Sequence, residues 1–71
     1  MEEHVLDTKE TIAYFRAALK HANVSVRALA AKQLGELGPS AKEALPELTM
    51  LLQDEEQLVR DAAEEAIKRI G

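Results

Sequence analysis

The chain has 71 residues and 7.8 kDa, 46% apolar and 31% charged, with net charge −4, no Cys, no Trp, one Tyr and one Phe. That length admits one small domain, 1–71, and the composition is that of a globular chain, not a disordered one. The missing Cys excludes disulfides, thiolate metal sites and a cysteine nucleophile, and the scarcity of aromatics and the acidic balance argue against a nucleic-acid binder. No apolar run approaches the roughly 18–20 residues of a membrane span. Met1-Glu2-Glu3-His4 also lacks the start of a signal peptide. The expectation is a cytoplasmic protein with no membrane partner.

In chain order, Asp7 and Glu10 have the spacing of a capping box. Ile12, Phe15, Ala18 and Leu19 then form the stripe of an amphipathic helix reaching about His21. Asn23 is the expected N-cap of a second helix, with Val26, Ala30, Leu34 and Leu37 as its core stripe. Gly38 suits a left-handed stop, and Pro39 cannot continue the helix. A third helix is expected from Ser40 to about Gln53, kinked at Pro46, with Met50 in the core. Asp54-Glu55-Glu56 forms a turn, and a fourth helix carries Val59, Ala63, Ile67 and Ile70 as far as Gly71.

At an offset of 33 the chain aligns with itself. Lys9/Lys42, Glu10/Glu43, Leu19/Leu52, Val26/Val59, Arg27/Arg60, Ala30/Ala63 and Gly38/Gly71 are identical, and Ile12/Leu45, Phe15/Leu48, Leu34/Ile67 and Leu37/Ile70 stay apolar. The matches fall at helical spacing, so they mark packing faces of one unit present twice, at about 7–38 and 39–71.

These units resemble HEAT repeats of the short bacterial and archaeal type. The stretch from Leu37 to Leu48, Leu-Gly-Pro-Ser-Ala-Lys-Glu-Ala-Leu-Pro-Glu-Leu, is similar to that family's first helix with its internal proline. Asp54-Glu55-Glu56 followed by Val59-Arg60 resembles its acidic turn and the Val-Arg opening the second helix; Val26-Arg27 and Leu34-Gly35-Glu36-Leu37-Gly38 repeat the signature. The resemblance covers about residues 8–71 and implies an all-α, alpha-alpha superhelix: a HEAT-like solenoid of four helices in two helix-turn-helix repeats. It also implies an acid–arginine ladder, here reduced because His21 stands where the second copy has Asp54. Asp54 remains able to reach Arg27 or Arg60.

On a helical wheel Ala28, Ala31 and Gly35 lie opposite the core stripe and invite close approach, with Ala62 and Ala66 of the fourth helix as expected neighbours. Their equivalents Asp61, Glu64 and Lys68 are polar, as at the closed end of an array, with Glu64/Lys68 and Glu65/Arg69 as i, i+4 pairs. The N-terminal flank is less closed. Leu29 and Gln33 lie there, and Val5, Leu6, Ala13, Tyr14 and Ala17 are apolar and outside the core stripe. Either Val5-Leu6 folds back over that flank, or another molecule covers it.

Chemistry is sparse. His4 and His21 lack ligand spacing, and Glu64-Glu65 and Asp54-Glu55-Glu56 read as surface acids. The HEAT-like hydroxylases carry His-Glu pairs after the Val-Arg position, where this chain has Ala28-Leu29 and Asp61-Ala62. The HEAT-like glycosylases need a basic groove. Residues 1–38 instead balance five basic against five acidic side chains, and 39–71 carry four against eight. No catalytic, cofactor-binding or metal residues, no cofactor, no small-molecule substrate and no nucleic-acid partner are expected. The expected role is a non-catalytic protein–protein interaction or scaffold module. The alternatives are an artificial or truncated unit that folds or self-assembles, and a small accessory subunit of an enzyme complex. The candidate partner surface comprises Val5, Leu6, Tyr14, Leu29, Lys32, Leu58, Asp61, Glu65 and Lys68. Leu58 either staples the turn before it or meets a partner. The partner is another protein, or a second copy bound through the N-terminal flank.

Overall fold

The computed structural model describes residues 8–71, so the expectations for Val5, Leu6 and the Asp7 cap lie outside the described residues. In order come α1 (Thr8–Ala18), α2 (Val24–Leu37), a 3₁₀ segment (Gly38–Ala44), α3 (Leu45–Leu51) and α4 (Gln57–Ile70). The described residues contain no strand, and the architecture is the expected all-α helical repeat. None of these helices is long and apolar enough to cross a membrane.

Local chemistry sets the helix ends. α1 closes earlier than its apolar stripe suggests, because Lys20 and His21 donate to the carbonyls of Ala17 and Ala18, three residues back. Such bonds tighten the last turn and leave Leu19, beyond the helix, fully buried. Asn23 caps α2: its Oδ1 accepts from the amides of Ser25 at 2.7 Å and Val26 at 3.2 Å. Gly38 ends α2 at φ 63°, a left-handed value that costs glycine nothing.

Pro46 behaves differently from the expectation. There is no kinked helix from Ser40 to Gln53. The chain runs as 3₁₀ through Ala44, with Ala41 outside helical geometry at φ −97°, ψ 21°, and only then begins α3. Pro46 therefore sits in the first turn of α3, where an amide lacks an intrahelical acceptor in any case. Its ring meets no α-helical carbonyl behind it, so it starts a helix instead of bending one. Met50 also departs from expectation and is 71% exposed. Leu48 takes the inward position of the short α3, and Met50, two residues on, points about 200° away.

The buried side chains are Ile12, Leu19, Leu34, Leu48, Val59 and Ile70 together with Ala30, Ala31, Ala41, Ala44, Ala63 and Ala66; no described polar side chain is buried. Half of that core is alanine, which lets helices pack closely. The tightest point lies between α2 and α4. A Cβ on Gly35 would stand 2.9 Å from the Ala66 Cα and 3.2 Å from its Cβ. The expected meeting of Gly35 with Ala66 is thus realised, and Ala31, one turn earlier, is buried too.

Gly35→Ala separates two opposed effects. Helix propensity alone would stabilise the chain by about 1 kcal/mol, whereas overpacking against backbone costs about 1–3 kcal/mol. The clash with the Ala66 backbone is expected to win, giving a net loss of about 1 kcal/mol in urea denaturation. A more stable variant would show that the helices separate without cost.

Candidate functional site

Arg27 and Asp54 fix the leading ends of α2 and α4 relative to each other. The Arg27 Nε donates to Asp54 Oδ2 at 3.0 Å and Nη2 to Oδ1 at 3.2 Å, a bidentate pair between largely covered side chains. Nη1 donates to the carbonyls of His21 at 2.9 Å and Ala22 at 3.0 Å, gripping the turn that leads into α2. Arg60 repeats that grip through the Asp54 carbonyl. Of the two partners open to Asp54, its carboxylate takes Arg27. The substitution at position 21 keeps half of the acid's role: His21 Nδ1 accepts from the Asn23 amide at 3.0 Å, as Asp54 Oδ1 accepts from Glu56 at 2.9 Å.

With their starts tied by this pair and their later turns in contact at Gly35 and Ala66, α2 and α4 run side by side in the same direction. Between them lies an open groove of about 420 Å³. Ala28, Gly35, Ala62 and Ala66 supply small side chains along it. Leu29 and Leu58 flank it, 54% and 57% exposed. Its charged margins are Lys32 and Glu36 on α2 and Asp61, Glu65 and Arg69 on α4.

The groove brings together five of the candidate surface residues: Leu29, Lys32, Leu58, Asp61 and Glu65. Leu29 thereby shares a surface with α4 instead of belonging to an N-terminal flank alone. Tyr14 lies elsewhere, with Ala17, Ala18, His21 and Val26 in a shallow hollow where α1 meets α2. Val26, expected in the core, is only half-buried there. Lys68 is exposed and does not line the groove, and Val5 and Leu6 lie outside the described residues. Glu36 and Arg69 line the groove although neither is among the candidate surface residues; the α2–α4 register added to the wheel places them there.

Of the two expected i, i+4 pairs on α4, Glu65–Arg69 forms at 3.0 Å, while Glu64–Lys68 is absent from the ion pairs of the described residues. A further pair was hidden from sequence. Arg16 on α1 donates from Nε and Nη2 to Glu47 on α3, at 3.2 and 2.8 Å. These contacts lower two carboxyls. Asp54 is held below the usual carboxylate range by the Glu56 amide and then by Arg27, and Glu47 by the hydrogen bond from Arg16. Among the described residues no three His, Asp or Glu side chains are grouped to hold a metal ion. What the groove can do chemically is bury apolar side chains and pair charges at its margins.

A family model described as HEAT repeats matches residues 4–68. No curated protein and no solved structure matches the chain.

Lowered carboxyl pKa values contribute stability that is complete above the unfolded range near pH ~4 and is lost as pH falls through the folded values. Asp54→Asn keeps an acceptor for Glu56 but loses the charge facing Arg27. At neutral pH it is expected to cost about 1–2 kcal/mol. That deficit should shrink as pH falls below ~4, first because the unfolded chain's carboxyl binds a proton and then, below its lowered folded value, because the native Asp54 does too. Denaturant titrations at several pH values check this; an equal deficit at neutral and strongly acid pH would overturn it.

Proposed function

The chain belongs to the HEAT repeat family, and from that premise we propose that it is a non-catalytic protein-interaction or scaffold module whose contact surface is the α2–α4 groove. HEAT repeats commonly mediate protein–protein interaction. The two repeats, about 7–38 and 39–71, act as one module spanning 1–71. One observation carries the reading: two exposed leucines, Leu29 and Leu58, flank a run of small side chains that leaves room for a partner's side chains. An exposed apolar patch rimmed by polar groups is the usual anatomy of a contact surface. The occupant is a protein segment. The acidic balance of residues 39–71 opposes a phosphate backbone.

Leu29→Glu combined with Leu58→Glu tests this. Both positions are exposed, so folding stability should change by no more than about 0.5 kcal/mol for each. Affinity capture with cross-linking in the native source is expected to recover a stoichiometric protein with the wild type and to lose it with the double variant. Equal recovery by both would remove the groove as the contact surface.

A further inference from the structure

We propose that the α2–α4 groove is filled by a second copy of this chain, related by a two-fold axis that runs along the groove. This rests on the groove being the contact surface, as argued above. The two helices run in the same direction, with Arg27–Asp54 at their starts and Gly35 against Ala66 further on. Because Gly35 lies level with Ala66, Lys32 lies level with the stretch between Asp61 and Glu65, and Glu36 lies just ahead of Arg69. Toward the C-terminus the α2 margin therefore reads positive then negative, and the α4 margin reads negative then positive.

A two-fold axis parallel to the helices lays α2 of one copy over α4 of the other without reversing direction. Lys32 then faces Asp61 and Glu65 of the other copy, Glu36 faces Arg69, and symmetry makes each contact twice. Lys32, Glu36 and Asp61 enter none of the ion pairs among the described residues, and Glu65 and Arg69 meet only on an exposed face. The apolar groups favour the same orientation. Leu29 of one copy comes over Ala62 of the other, and Leu58 over the start of α2 beside Ala28, large against small. An axis across the middle of the groove would reverse one copy and carry both leucines from the small side chains to the charged trailing half, Leu29 toward Glu36 and Leu58 toward Arg69 of the other copy.

Two 14-residue helices offer a face of roughly 21 by 20 Å, about 400 Å² per copy, below the ~800 Å² of a standard partner surface. The dimer is accordingly weak, and it loosens with added salt.

Sedimentation equilibrium of the full chain from micromolar to millimolar concentration is the test. The wild type is expected to show a reversible monomer–dimer equilibrium. Lys32→Glu alone and Glu65→Lys alone each place like charges across the axis and should weaken it about tenfold. An equimolar mixture of the two variants restores opposite charges at both crossings and should recover association. All three samples should keep the wild-type thermal midpoint. A wild type monomeric throughout, or single variants that associate normally, or a mixture that fails to recover, overturns the proposal. A monomeric wild type whose Leu29→Glu/Leu58→Glu form still loses a different protein overturns the dimer alone; loss of neither overturns the groove's role as well.

Discussion

The close approach of α2 to α4 at Gly35 and Ala66 governs the rest of the molecule. There is no room for a Cβ at position 35, so the helices meet almost backbone to backbone. Many small dispersion contacts among Ala30, Ala31, Ala63 and Ala66 replace the few large ones of a leucine-filled interface. The same smallness makes the groove. Where the interface carries only methyl groups and a glycine, the space above it stays empty, and the longer side chains stand at its margins. A leucine at position 35 would push the helices apart and fill the hollow in one step. Core packing and the groove are thus two sides of one row of residues.

Charge is kept out of the core and used at the ends. No described polar side chain is buried, yet Arg27 and Arg16 make bidentate contacts with carboxylates far away in sequence. Such pairs contribute little by area. Their use lies in geometry, because a planar guanidinium accepts a carboxylate in few orientations. Arg27 sets how the start of α4 meets the start of α2, and Arg16 ties α1 to α3. Packing of alanine on alanine tolerates sliding, and these forks limit it.

Much of this is legible in the residues. The repeat, the Asn23 cap, the Gly38 stop, the small flank of α2 and the Asp54–arginine contact all follow from local chemistry or from the offset between the copies. What escaped depends on information the pattern lacks. Pro46 reads as a kink only if the preceding residues are α-helical, and nothing local announces that they wind as 3₁₀. Met50 looks like core by composition, but a seven-residue helix has room for one fully inward side chain, and Leu48 takes it. Arg16 and Glu47 are 31 residues apart, so their pairing emerges only when α1 and α3 are placed together. The candidate surface divided for a related reason: a wheel drawn on one helix cannot say that Tyr14 and Leu29 look onto different hollows.

Arg27 holds its own turn with one nitrogen and the following turn with the other two. The bond between units therefore has a direction: the earlier unit supplies the arginine and the later one the acid. The two copies are not interchangeable beads. Were their order exchanged, Arg60 would meet the turn carrying His21, whose ring has no pair of carboxylate oxygens and whose Nδ1 is taken by the Asn23 amide, and the bidentate contact would vanish although every residue was still present. The connectivity of the chain is written into one substitution between its halves.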